Sequence, residues 1–105
     1  MPASMRYEDL SALVGRDCRV RALDRGDDAA ELAGVLVEVG ERRVRQGYEQ
    51  FALLFKVAEA GMPQQGIYAV RFDGEDARDI FLVPVGREGG ATAYEAVFNR
   101  TAAAG

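Results

Sequence analysis

The sequence predicts an all-β fold, a small antiparallel barrel or sandwich of about six strands with a short N-terminal helix. Apolar and polar residues alternate over several segments, Gly, Asp and Pro clusters separate those segments, and no strand–helix–strand alternation supports a parallel sheet. The 105 residues suit one domain, 1–105, with a helix at about 5–14, a β domain at about 17–100 and a frayed tail at 101–105. A barrel is favoured over a sandwich because closure hides strand edges.

The predicted helix depends on a cap, an apolar face and a stop signal. Ser4 can cap it, and Gly15 can end it in a left-handed conformation. Its apolar residues share one face at helical spacing: Tyr7, Leu10 and Val14. About ten residues form a marginal helix alone, so we expect it to pack on the sheet.

The next two segments alternate with the period of strands. The first predicted strand turns three residues to one face: Cys18, Val20 and Ala22. Residues 24–28 have turn chemistry. In the second predicted strand, about 30–40, Leu32 lies out of phase with three valines, Val35, Val37 and Val39. We expect a β-bulge at Gly34 to restore one face.

Four further segments complete the predicted sheet. Residues 41–49 are polar and predict a connection or a ragged edge strand, and residues 73–76 predict a turn. Strands three, four and six each have one apolar face: Phe51, Leu53, Phe55 and Val57; Tyr68, Val70 and Phe72; Tyr94, Ala96 and Phe98. Strand five, 80–85, is apolar on both faces, which predicts cover on both sides. Pro84 is expected at a strand end, a bulge or an edge.

Composition narrows the classes of partner and compartment. The net charge is −4, from 13 basic and 17 acidic residues, which argues against nucleic acid as the main partner. Cys18 is the single cysteine, and no signal-peptide pattern or membrane-length apolar run occurs. We therefore expect a cytoplasmic protein that does not bind membranes.

The residue types argue against catalysis. Histidine is absent, so the usual Ser-His and Cys-His nucleophile systems cannot form, and ordinary zinc sites lack their ligands. Arg19 and Arg21 alternate with Cys18 and its neighbours along a strand and point to the opposite face, so Cys18 is best interpreted as a small buried hydrophobe. The acidic run at 73–79 lacks the spacing of a calcium loop. We expect no catalytic residues, no metal and no cofactor.

The remaining candidates are surface residues. Arg42, Arg43 and Arg45 form the one local basic cluster, which is either a solvated edge or a contact for an acidic partner. Leu36, Leu54 and Leu82, with Ile80, fall opposite the main apolar stripe. We expect the helix and loops to cover these residues. Any part left uncovered would form an apolar patch suited to a protein partner.

Several strings in the second half of the chain resemble a family of small bacterial proteins of unknown function. They are residues 51–55 (FALLF), 63–68 (PQQGIY), 80–86 (IFLVPVG) and 94–99 (YEAVFN). Residues 10–15 near the start of the chain also fit the opening of that family. The resemblance covers roughly residues 7–99. It transfers no catalytic residue. Proteins of this kind can occur beside phage-tail-collar-like proteins, which implies a role in an extended protein assembly.

Two features qualify that resemblance. Relatives carry His-Pro after the fourth strand where this chain has residues 72–74 (FDG), so any family-wide histidine chemistry is in doubt here. Glu95 and Asn99 are the polar members of the most specific string, and they either serve a site or satisfy the strand end.

The sequence thus favours a non-enzymatic protein-interaction or accessory module, associated through the resemblance with phage-tail-like assemblies. It would act through a sheet edge or an apolar patch, and self-association is an open possibility. A small barrel that binds an apolar ligand is the alternative, although six strands leave little interior space. A carboxylate-dependent hydrolase ranks last.

Overall fold

The computed structural model describes residues 5–23, 30–58 and 63–101, and within them one short helix precedes seven strands. The helix is α1 (Tyr7–Ser11). The strands are β1 (Asp17–Ala22), β2 (Leu32–Val39), β3 (Arg43–Arg45), β4 (Tyr48–Ala58), β5 (Gly66–Phe72), β6 (Arg78–Glu88) and β7 (Ala91–Thr101). No helix within these ranges has the length and apolar content needed to cross a membrane.

Six of the strands close into an antiparallel barrel. The sheet order is β2-β1-β5-β6-β7-β4-β3, and a further pairing of β2 with β4 completes the circle. β3 follows β2 along the same side of β4, at the end where β4 begins. The predicted all-β class and short helix are therefore confirmed. The barrel is closed, and the polar segment 41–49 supplies the additional strand β3.

Strands with one clearly apolar face behave as the alternation predicts. The inward residues of β1, β4 and β5 are buried: Cys18, Val20 and Ala22; Phe51, Leu53, Phe55 and Val57; Tyr68, Val70 and Phe72. Tyr94 and Ala96 of β7 join the same core, and Phe98 packs against it. Burial of this continuous apolar face is the main source of stability for the barrel.

The helix is shorter than predicted, and part of its face was assigned wrongly. It begins after Arg6 and not after Ser4, which lies outside the described residues. Leu10 is buried as expected, but Val14 is exposed and Leu13 takes the buried position. The reason is that the helix ends at Ser11, so helical spacing no longer applies to the turn that follows. Gly15 does have the predicted left-handed conformation, with φ +87°.

β2 turns Leu36 to the core where Val35 and Val37 were predicted, whereas Leu32 and Val39 pack against the core as predicted. Leu36 is fully buried, whereas Val37 is 45% exposed. The neighbouring strand sets this phase, because Leu36 lies opposite the inward Phe55 of β4. The bulge lies between Leu36 and Glu38 rather than at Gly34. Gly34 instead lies opposite the buried Cys18, where its missing side chain leaves room for core residues.

β6 was also assigned to the wrong face. Ile80 and Leu82 point into the core because Ile80 lies opposite the inward Tyr68 of β5. Phe81 and Val85 are exposed, so the expected cover on both faces is wrong. A register shift between β6 and β7 begins at Pro84, so this proline lies at an irregularity of the ladder, which is one of the three positions expected for it.

The connections agree with the prediction where the structure describes them. Gly74, with φ +80°, lies in the predicted turn at 73–76. The turn predicted at 24–28 lies outside the described residues. Thr101 was predicted to fray but ends β7 opposite Tyr48. The rest of that predicted tail, 102–105, lies outside the described residues.

Candidate functional site

β3, residues 48–50 of β4 and residues 99–101 of β7 form a three-stranded extension at one end of the barrel. The register aligns Arg43 with Gln50 and Arg45 with Tyr48 across the β3–β4 hairpin. β7 continues the same rows, because it aligns Asn99 with Gln50 and Thr101 with Tyr48. Residues directly opposite one another in antiparallel strands project from the same face. The extension therefore has an outer face with these two rows and an inner face built around Glu49.

The inner face contains a buried ion cluster. The carboxylate of Glu49, whose side chain is 6% exposed, accepts hydrogen bonds from the Nε atoms of Arg42 and Arg100, both at 2.6 Å. Hydrogen bonding from Arg42, and then from Arg100, holds the pKa of Glu49 below its ordinary value of 4.5, although burial opposes this shift. Glu49 therefore stays ionised, which suits an anchor and not a proton donor.

Arg100 ties this cluster to the core and to the N-terminal segment. Its guanidinium carbon lies 5.4 Å from the ring centre of Phe51 and 5.1 Å from that of Phe98, within the range of cation–π attraction. Its Nη2 also donates to the backbone carbonyl of Met5 at 2.6 Å. The inner face is thus fixed by charge-assisted hydrogen bonds and ring contacts. It gives the outer face a rigid support.

The outer face is polar, cationic and exposed. One groove of about 560 Å³ is lined by five residues of this face and by four neighbours: Arg43, Arg45, Tyr48, Gln50 and Asn99, with Glu41, Arg42, Val44 and Gln46 beside them. Tyr48 is 58% exposed, so its ring and hydroxyl are open to contact with a partner. Within the described residues, Arg43 and Arg45 form no ion pair, so their guanidinium groups are available to an incoming anion.

A second pair of exposed arginines lies on the barrel wall, and acidic side chains surround it more closely than they surround Arg43 and Arg45. Arg19 and Arg71 lie opposite each other on β1 and β5. Arg71 pairs with Glu31 at 3.5 Å, and Asp17 and Asp73 line the same pocket as the two arginines. Acidic side chains therefore neutralise much of the charge there. The groove of the extension is lined by one acidic residue, Glu41, and by Arg42, Arg43 and Arg45, so positive charge predominates there.

The structure brings together half of the residues that the sequence singled out. Arg42, Arg43, Arg45 and Asn99 line the groove of the extension. Arg42, however, is mainly committed to Glu49 on the inner side.

The other predicted residues lie elsewhere. Leu36 and Leu82 are fully buried inside the barrel, so the prediction that they lie opposite the main apolar stripe is wrong and they do not contribute to a surface patch. Leu54 and Glu95 lie opposite each other on the outer wall, and both are half-buried. Leu54 lines a separate, mostly apolar groove with Val37.

Sequence reasoning missed Tyr48 and Gln50. Neither residue stands out locally, since their position depends on the register of β3, β4 and β7. A usable signal was present in Gln46 and Gly47, which form the two-residue turn of the hairpin with φ values of 54° and 83°. A hairpin at this turn would have placed Tyr48 beside Arg45 and Gln50 beside Arg43.

Cys18 and the acidic turn offer no reactive centre. Burial, and then the charge of Asp17, raises the pKa of the Cys18 thiol to about 11, so it is un-ionised at neutral pH. This supports its interpretation as a buried hydrophobe. In the acidic turn, Glu75 pairs with Arg78 at 2.8 Å and with Arg16 at 3.6 Å. Among the described residues, no three Cys, Asp or Glu side chains converge as metal ligands would.

The fold and the site together define a small closed β-barrel with a cationic, polar, three-stranded extension. The profile of the family described as Domain of unknown function (DUF6916) matches residues 5–98. The chain therefore belongs to this family, which confirms the resemblance to an uncharacterised domain family. A search of the curated proteins found no match to the chain, and neither did a search of solved structures.

Proposed function

We propose that this chain is a non-enzymatic interaction module that binds an acidic segment of a partner protein on the outer face of the extension. The observation that carries the proposal is the cross-strand alignment of Arg43 and Arg45 with Gln50 and Tyr48. Two guanidinium groups supply the attraction for carboxylates, and neighbouring amide and phenol groups supply hydrogen bonds. Tyrosine and arginine are the residue types that contribute most at protein interfaces.

The charge of the whole chain supports a protein partner over a nucleic acid. A net charge of −4 repels a polyphosphate chain at long range, whereas a short acidic segment needs only a local cationic face. We also propose a reducing compartment such as the cytoplasm, because Cys18 has no second cysteine in the sequence to pair with. Association with a phage-tail-like assembly, which the resemblance implies, stays a prediction.

The two alternatives have less support. The barrel interior is occupied by large, fully buried side chains, among them Tyr94, Phe55 and Phe72, which disfavours an apolar ligand inside it. A hydrolase would need a carboxylate that gives up and regains a proton near neutral pH. Glu49 is the buried carboxylate of the described residues, and its lowered pKa disfavours that role.

A titration with a short glutamate-rich peptide, followed by fluorescence anisotropy, tests the proposal. We expect the Arg43→Glu/Arg45→Glu variant to bind at least about tenfold more weakly than the wild type, because attraction becomes repulsion at both positions. The matched control is Arg19→Glu/Arg21→Glu, which makes the same charge change at positions two apart on β1 and should retain most of the affinity.

Three outcomes would contradict the proposal. The first is no peptide binding by the wild type at low salt, where screening is weakest. The second is an equal loss of peptide affinity in both double variants, which would indicate that the peptide responds to the net charge of the protein and not to a localised binding site. The third is a single-stranded DNA probe binding more tightly than the peptide and losing affinity in the Arg43→Glu/Arg45→Glu variant. Circular dichroism spectra of both variants would establish that each is folded.

A further inference from the structure

One side of β3 is an open edge of the sheet. β3 pairs with β4 and with no other strand of the described residues. Its middle residue, Val44, has a side chain that is 54% exposed, and Arg43 and Arg45 on either side are also exposed. An open edge of this kind presents unpaired backbone groups to any extended chain that approaches it.

The geometry of the hairpin determines which backbone groups face outward. Gln46 and Gly47 both have positive φ, so they form a two-residue turn of the type that closes on a hydrogen-bonded pair, here Arg45 and Tyr48. Pairs in an antiparallel ladder alternate between hydrogen-bonded and non-hydrogen-bonded. Val44 therefore belongs to a non-hydrogen-bonded pair with Glu49, and its N–H and C=O point to the open edge.

We propose that β3 accepts the acidic segment as an added β-strand, with carboxylate side chains at alternate positions. An added strand would pair with the N–H and C=O of Val44, as in other cases of β-strand addition. The residues on either side of that pairing position would then project onto the outer face, directly opposite Arg43 and Arg45. This inference rests on the proposed function and specifies its partner as a segment in which acidic residues flank one uncharged residue.

The same geometry disfavours a second copy of this chain as the occupant. Antiparallel self-pairing of two β3 edges about Val44 would place Arg43 of each copy opposite Arg45 of the other. Like charges directly opposite one another destabilise a strand pair. Inserting charged residues on a short edge strand is also a common means of preventing edge-to-edge association. The arginines that repel a second copy are those that would attract an acidic strand.

The groove beside the edge suits the side chains of such a segment. Gln50 and Asn99 lie one and two strands farther in, on the same row as Arg43. The groove has a volume of about 560 Å³. A glutamate opposite Arg43 can pair with its guanidinium, and the Gln50 amide on the far side of Arg43 offers a further hydrogen-bond donor to the groove.

Two peptides of identical composition test the strand-addition model. Each contains two glutamates among valine and threonine residues: in the alternating peptide the glutamates flank one valine, and in the grouped peptide they are adjacent and so point to opposite faces of an extended chain. Because only the alternating peptide can face both arginines while extended, we expect it to bind the full chain at least about fivefold more tightly. A version of that peptide with N-methyl groups at the positions that pair with Val44 should lose this advantage, whereas methyl groups at the intervening positions should not matter.

A variant of the protein provides an independent test. Val44→Pro removes the edge N–H but not a bond to β4, because proline is tolerated at edge positions whose N–H faces solvent. It keeps both arginines, so we expect it to bind the grouped peptide as the wild type does and to bind the alternating peptide no better than the grouped one. Val44→Thr retains the N–H and should preserve the preference.

The outcomes separate the two proposals. If the wild type binds both peptides equally and Arg43→Glu/Arg45→Glu weakens both, the strand-addition model is wrong and the acidic-segment site stands. If neither peptide responds to the charge reversal, both proposals fail. Strand addition would also be overturned if the alternating peptide kept its tighter binding, relative to the grouped peptide, after N-methylation at the positions that pair with Val44. This comparison does not depend on whether Val44→Pro folds.

Discussion

Replacing Leu36 with alanine should destabilise the barrel far more than the same change at its neighbour Val37. Leu36 is fully buried opposite Phe55, and Val37 is 45% exposed. Truncating a fully buried leucine costs about 3 kcal/mol in unfolding free energy, through lost transfer energy and the cavity left behind. Removing two half-exposed methyl groups from Val37 costs about 1 kcal/mol or less.

These costs convert into a measurable difference in Tm. Unfolding entropy near 60 °C is about 2.1 cal/mol/K per residue, or about 0.22 kcal/mol/K for a chain of 105 residues. Leu36→Ala should therefore lower Tm by about 14 °C and Val37→Ala by about 5 °C or less. Thermal unfolding followed by circular dichroism measures both. Equal losses, or a larger loss for Val37→Ala, would refute the inward phase of β2 and the bulge between Leu36 and Glu38.

Two further changes test the ion cluster and the close packing of β2. Glu49→Gln should lower the urea midpoint at pH 7, because the neutral amide cannot replace two charge-assisted hydrogen bonds. Since the folded pKa of Glu49 lies below 4.5, the wild type should keep this stability above pH 4.5 and lose it as the pH falls through the folded pKa, so the gap between the two proteins should close in acid. An unchanged gap at low pH would count against the cluster. Gly34→Ala should destabilise by about 1–3 kcal/mol in chemical unfolding, because its Cβ would lie 3.2–3.3 Å from three core side chains: Val20, Cys18 and Val57. A neutral or stabilising effect would contradict this packing.

Strict alternation was sufficient to assign the inward faces of β1, β4 and β5. In β4, for example, Phe51, Leu53 and Phe55 share one face, whereas Ala52 and Lys56 make the other face less apolar, so burying the first face removes more apolar surface from water. The class of fold followed from several such segments separated by turn residues. Local pattern and tertiary structure agree wherever one face of a strand is clearly more apolar.

The same reasoning failed in β2 and β6 because both faces of these strands are apolar. Leu36 competes with Val37, and Leu82 with Phe81, and hydropathy alone does not choose between them. The choice is made by the partner strand, through Leu36 opposite Phe55 and Ile80 opposite Tyr68. Such pairings join residues far apart in the sequence, so a local pattern cannot supply them.

The candidate site likewise contains some residues that the local sequence identified and others that only the strand register brings together. The local density of charge was enough to single out Arg43 and Arg45. The roles of Tyr48 and Gln50 follow from a register that also involves β7. The anchor beneath them is more remote still, because Glu49 and Arg100 are 51 positions apart. Electrostatic anchors of this kind are formed by the topology and leave no periodic signal in the sequence.

The most direct test of the central claim is an NMR titration of the ¹⁵N-labelled chain with the alternating glutamate peptide at about 0.15 M salt. We predict that the largest shifts of backbone amide signals fall on the extension, at Val44 and its neighbours Arg43 and Arg45, with smaller shifts at Gln50 and Asn99. Shifts centred on Arg19 and the barrel wall, or no shifts at saturating peptide, would contradict the account.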